Sequence, residues 1–104
     1  MARLITVYWR DIPAQVIAKR GRESLKVALP QRFQEAIDRA ALRAGKGSSH
    51  AYLAEWRRVS RECGSDLSAE AEAEAKRLEA AFSDEVLKRV VKAGGVREDT
   101  AAGS

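Results

Sequence analysis

Arg3-Leu4-Ile5-Thr6-Val7-Tyr8-Trp9, then Arg10-Asp11-Ile12-Pro13-Ala14, then Gln15-Val16-Ile17-Ala18-Lys19-Arg20-Gly21: this run decides the fold of the chain. Residues 3–9 are rich in β-branched and aromatic side chains, which suit a pleated, half-buried surface. Alternation puts Leu4, Thr6 and Tyr8 on one side and Ile5, Val7 and Trp9 on the other. Both sides are mostly apolar, so this strand is expected in the middle of a sheet. Asp11-Ile12-Pro13-Ala14 interrupts it, because Pro13 has no N–H for a ladder and disfavours helix at Ile12. Residues 15–20 read as a second strand, with Gly21 supplying the turn.

Residues 23–29 alternate cleanly, with Leu25, Val27 and Leu29 opposed to Ser24, Lys26 and Ala28. That is a strand with one buried face. Short connections predict an antiparallel meander of three strands. Pro30 opens a helix whose stripe is Phe33, Ala36, Ile37, Ala40 and Ala44, closed by Gly45. Leu42 falls off that stripe. Ser48 or Ser49 caps a second helix, with Tyr52, Leu53, Trp56, Val59 and Cys63 on one face and Gly64 at its end. A third helix begins after Asp66 or Ser68, with Leu67, Ala71, Ala75, Leu78 and Phe82 as its stripe. Ser83-Asp84 marks a new start for Val86, Leu87, Val90 and Val91, and Gly94-Gly95 ends it. The fold class predicted is α+β: a three-stranded antiparallel β-meander followed by three to four helices packed on one face. Residues 1–96 form a single domain, and 97–104 are expected to be a disordered tail.

The 104 residues suit one domain, and a hydrophobic content of 45% suffices for a core. No apolar run reaches the roughly 18 residues a membrane span needs. The opening residues lack a signal-peptide cleavage site. A single cysteine, Cys63, excludes an intramolecular disulfide, which fits a reducing cytoplasm. Charge is uneven. Residues 1–61 carry 13 Lys/Arg against 5 Asp/Glu, whereas residues 62–104 carry 6 against 10. Such polarity serves an acidic partner or draws one half of the molecule to the other.

Several chemistries fail inspection. His50 and Cys63 are the only soft metal ligands, too few for the four-ligand cluster zinc prefers, so no metal or other cofactor is expected. On one helix those two residues would stand about 20 Å apart, too far for a nucleophile pair. Cys63 reads instead as a small buried hydrophobe. Gly94-Gly95 and Gly45-x-Gly47 follow helices, the wrong context for a phosphate loop. The carboxylates fall mostly on solvated helix positions, and no catalytic residues are assigned. The residues thus favour a non-enzymatic role.

What stands out is the turn after the first strand. Trp9, Arg10, Asp11, Pro13 and Gln15 combine a large aromatic, a fork-shaped cation, an anion and an amide within seven residues. Arg and Trp are enriched at interface hot spots, so this turn is the candidate surface for a partner or ligand. On that reading, Arg10→Ala keeps the melting temperature and weakens binding. Arg20, Arg22, Trp56 and Arg57 are secondary binding candidates. Each has an ordinary alternative: core packing for the tryptophans, a turn cap for Asp11, and a charge-protected strand edge for Arg20 and Arg22. No nucleic-acid motif accompanies the basic residues, so binding there would be weak and salt-sensitive.

Tyr8-Trp9-Arg10-Asp11-Ile12-Pro13-Ala14-Gln15-Val16 reads as a signature, together with Arg20-Gly21-Arg22, Leu29-Pro30-x-Arg32-Phe33, Ala36-Ile37-Asp38 and Ala51-Tyr52-Leu53-Ala54-Glu55-Trp56. Over residues 3–90 the chain resembles the bacterial "virulence factor" domain family. That label describes a phenotype and carries no catalytic residues. The resemblance implies an accessory module or small subunit of a bacterial metabolic complex, linked to folate and corrinoid one-carbon metabolism or to iron–sulfur metabolism. The leading expectation is therefore a cytoplasmic protein-binding module with a protein partner, with room for a homodimer and no membrane association. The alternatives are a small enzyme or ligand-binding protein with its site near the Trp9–Gln15 turn, and a weak nucleic-acid binder.

Overall fold

The computed structural model describes residues 2–96. It is α+β, with a four-stranded antiparallel sheet and four helices. In chain order the elements are β1 (Ala2–Trp9), β2 (Ile12–Arg20), β3 (Glu23–Ala28), α1 (Gln31–Arg43), α2 (Ser49–Ala54), β4 (Trp56–Cys63), α3 (Leu67–Ala81) and α4 (Asp84–Lys92). The sheet order is β3-β2-β1-β4, which puts β1 inside the sheet as its two apolar faces require. The expected tail over 97–104 lies outside the described residues.

Two expectations are corrected. The first concerns Pro13, which lies within β2, so that strand starts at Ile12 and not at residue 15. Register explains the tolerance: Val7 pairs with Gln15 but Tyr8 pairs with Pro13, leaving Ala14 as the extra residue of a β-bulge. Proline is admitted where a bulge breaks the ladder. The Ala14 carbonyl is not lost, because it accepts from the Leu29 N–H at 3.1 Å.

The second correction is larger. The long second helix stops at Ala54, and residues 56–63 form β4 along β1, making four strands and not three. Ser48 does cap α2, its hydroxyl accepting from the Ala51 N–H. Tyr52, Trp56, Val59 and Cys63 have helical spacing, but that spacing is incidental here. The free edge of β1 offers a ladder to residues 56–63, and Ala2 faces Cys63 at its far end. Cys63 therefore sits at a strand end, partly buried against the core.

The pairing sorts every strand residue onto one of two faces. Val27-Val16-Thr6-Val59 and Leu25-Ala18-Leu4-Arg61 form successive rows on one side. Helices α1 and α3 cover that side over β2 and β3, and Leu4, Val16 and Ala18 join Phe33, Ile37, Ala75, Leu78 and Phe82 in the core. Phe33 meets Phe82 edge-on at 6.1 Å. Arg32 fastens the two helices by donating to the carbonyls of Glu79 and Phe82, satisfying the open end of α3. Leu42, off the stripe, is exposed.

At the end of the sheet α2 and the residues after α4 close over Trp9. The indole is fully buried, stacks on Tyr52 at 5.9 Å, and donates its N–H to the Tyr52 carbonyl at 2.8 Å. Gly95 completes the seat at a φ of +97°, and a Cβ there would lie 2.9 Å from Trp9 Cζ3. Only glycine allows both the backbone conformation and the approach. Gly95→Ala is therefore expected to lose about 1–3 kcal/mol of stability through overpacking and backbone strain. Chemical denaturation of the full chain checks it.

Candidate functional site

The Arg10-Asp11 turn joins β1 to β2 with only two residues between the paired Trp9 and Ile12. Arg10 has a φ of +53°, unusual for a residue with a side chain. Surrounding bonds hold it there. Its N–H donates to the Glu55 carbonyl at 3.1 Å, and the Asp11 N–H donates to the Gly95 carbonyl at 2.8 Å. Its guanidinium donates to Glu55 Oε1 at 3.2 Å and to the Gly94 carbonyl at 3.0 Å, beside the Trp9 ring. Lys46 shares the Glu55 carboxylate. From the other side, Arg57 donates to the Arg10 carbonyl at 2.8 Å and to Asp11 Oδ1 at 3.0 Å.

The turn is thus the knot that ties β1, the start of β4 and the segment after α4. Of the five residues expected to bind there, Trp9 and Pro13 are buried and offer no surface to a partner. Arg10 and Asp11 are half-buried and engaged within the chain, and Gln15 lies beyond the bulge on the sheet. Among the secondary candidates, Arg20 pairs with Glu23 and bonds the Ser65 carbonyl, while Arg22 stands exposed at the hairpin tip.

Next to the turn lies a small cleft of about 240 Å³ between β4 and α3, lined by Tyr8, Arg57, Arg77, Leu78 and Phe82 among others. Arg57 stacks on Tyr8 at 4.6 Å. Behind it Glu74, a carboxylate only 6% exposed, is gripped by both nitrogens of the Arg77 fork and by Arg61 at 3.3 Å. The hydrogen bonds from Arg77 hold the Glu74 carboxyl below the usual carboxylate range, against the opposing effect of burial. Burial and the Glu74 charge push the Tyr8 phenol upward. The Glu74 shift comes from ion pairing, within α3 through Arg77 and from α3 to β4 through Arg61. Among the described residues, no group of three or more His, Cys, Asp or Glu could hold a metal ion, and no helix is long and apolar enough to cross a membrane.

The third place is the face of the sheet opposite the helices. There the rows are Ala28-Gln15-Val7-Arg58, Lys26-Ile17-Ile5-Ser60 and Ser24-Lys19-Arg3-Glu62. Val7 and Ile17 are shielded by their neighbours on the sheet but stand outside the main core. At one end a shallow hollow of about 520 Å³ is lined by Val7, Gln15, Trp56, Arg57 and Arg58. The strand pairing thereby brings Gln15 together with Trp56 and Arg57, which sequence spacing keeps more than forty residues apart. Sequence reasoning did not single out Arg58, Ile5, Val7 or Ile17 as residues of this face. The signal that identifies them is the position of β4, which only the long-range pairing reveals.

Three outcomes test this geometry. Arg10→Ala is expected to lose about 1–3 kcal/mol of stability, because it breaks two partly buried charge-assisted bonds. Arg10→Gly should be more stable than the alanine variant by about 1 kcal/mol, since glycine relieves the positive φ. Equal stability of the two variants in denaturant titrations would contradict the strain. For Glu74, the folded carboxyl lies below its unfolded value. Its contribution is therefore present above the unfolded value and lost as pH falls through the lowered folded one. Thermal melts from neutral to strongly acidic pH should show this loss, and Glu74→Gln should flatten it while melting lower at neutral pH.

A family model described as virulence factor matches residues 7–91 of the chain. No curated protein and no solved structure matches.

Proposed function

The chain belongs to the virulence factor family, and from that premise we propose that it is an accessory protein-binding module that docks through the helix-free face of its sheet. One observation supports this above the rest: the row of Ile17 and Ile5, with Val7 beside it, stands apart from the main core cluster, Ile5 partly exposed and Val7 and Ile17 buried beneath the face, next to a hollow walled by Trp56, Gln15 and Arg58. Interface hot spots combine a desolvated apolar centre with Trp or Arg anchors. The register places Arg3, Lys19, Lys26 and Arg58 around that row, against the single carboxylate Glu62. The partner is accordingly a protein surface with an apolar centre and an acidic rim, steered to this face by charge.

The reading leaves the turn a supporting role. Trp9 and Pro13 hold β1 and β2 in place, so that Val7 and Gln15 stand side by side at the hollow. A ligand site at the turn has less support, because the Arg10 and Asp11 side chains already hold Glu55, Gly94 and Arg57.

The test starts with affinity capture from native extract, followed by titration of the purified captured protein. Arg58→Glu and Lys19→Glu should each weaken its binding by more than about 1 kcal/mol with an unchanged melt. Lys76→Glu, an equal charge change on the exposed side of α3, should bind as the wild type does. Equal losses in all three variants would reduce the effect to net charge, and no loss in the first two would move the docking surface elsewhere.

A further inference from the structure

Helices α1 and α4 lie side by side and run parallel. Their starts are joined where Arg32 reaches Asp84 at 3.5 Å, and their ends where Arg43 donates to the Lys92 carbonyl at 3.3 Å. Between them on the outer surface is a groove of about 470 Å³, floored by Ala36, Leu87 and Val91. The small side chain of Ala36 lets a third element approach closely. At 1.5 Å per residue α1 is roughly 20 Å long and α4 roughly 14 Å, so the groove has the length of a helix of roughly 9–13 residues.

Its walls are strongly charged, with five cations against two carboxylates. Arg32 is committed to α3 and Asp84. Arg39, Lys88, Arg89 and Lys92 form no ion pair among the described residues, although Glu35 and Asp84 lie four positions before Arg39 and Lys88. The partial negative charge at a helix C-terminus accounts for cations in the last turn of α4, such as Arg89 and Lys92. It does not account for Arg39 and Lys88, which sit inside their helices. Charge is also ordered along the groove, with Asp84 at the end where both helices start and Lys92 at the end where both stop.

We infer that the α1–α4 groove is a docking site for an acidic amphipathic helix of a partner protein, lying antiparallel to both helices. This orientation sets the positive N-terminal end of the incoming helix over two negative C-terminal ends. Acidic residues in its first turns, where they stabilise that helix anyway, then meet Arg39, Lys88 and Lys92. Leucine-like residues at i, i+3, i+4 and i+7 reach Ala36, Leu87 and Val91. The groove lies on the helical side of the molecule, so the inference stands independently of the sheet-face reading.

The probe is a labelled 14-residue helical peptide with a leucine stripe and glutamates in its first two turns, titrated against the full chain by fluorescence anisotropy. Three controls accompany it: the same composition scrambled, the same stripe with glutamates in the last two turns, and a single-stranded oligonucleotide of equal charge. The first peptide should bind at least tenfold tighter than the scrambled one and at least threefold tighter than the reversed one. The double variant Arg39→Glu/Lys88→Glu should lose tenfold or more, whereas Arg58→Glu on the sheet face should lose less than threefold. Absence of binding, equal binding of the scrambled peptide or the oligonucleotide, or an equal loss in Arg58→Glu would each overturn the inference.

Discussion

The fold depends on how Trp9 is seated. An indole buried in a small domain must satisfy its N–H, and here the acceptor is the Tyr52 carbonyl, 43 residues away. That one bond fixes α2 against the end of β1, and so fixes where β4 begins. The opposite wall of the seat is backbone, Gly95, at a distance that excludes any side chain. Because Trp9 stands directly before the two-residue turn, the turn inherits these constraints. Arg10 and Asp11 spend their hydrogen bonds on Glu55, Gly94, Gly95 and Arg57. Residue types that look made for recognition are here engaged in closing the end of the sheet in a chain of 104 residues.

The proposed docking face is what the helices leave uncovered. Most of the bulky core packing lies on one face of the sheet, with α1 and α3 over β2 and β3, while Trp9 is seated at the sheet's end. The other face carries Ile5, partly exposed, with Val7 and Ile17 buried beside it, within a basic frame. A domain this small has little volume for an enclosed cavity, since nearly all its apolar residues are needed for stability. Its shallow hollows and charged grooves suit protein surfaces better than small substrates.

Much of this was legible along the chain. The strands of the meander, the α1 stripe through Phe33, Ile37 and Ala40, and the Ser48, Asp66 and Ser83 caps are all local signals, and local physics made them. The break at Ser83 was readable because the stripe changes phase there. β4 was not readable. Trp56, Val59 and Cys63 have helical spacing, and the alternation over residues 56–63 is blurred by Arg57, Arg58 and Arg61 on both faces. Its strand state comes from pairing with β1, a contact some fifty residues distant in sequence. The site suffered from the same gap. Residue types marked the turn, but only the fold shows that Trp9 and Pro13 are buried and that Gln15 meets Trp56 and Arg58.

The central claim, that the turn is structural and recognition falls to the open sheet face, has a direct measurement: amide hydrogen exchange of the full chain, free and saturated with its captured partner. The account predicts that added protection falls on residues 5–7, 15–17 and 56–60, where the apolar row and the hollow lie. Exchange at residues 10–11 and 94–95 should be slow already in the free protein and little changed by the partner. Fast exchange of the free turn, with partner-induced protection confined to it, would contradict the account.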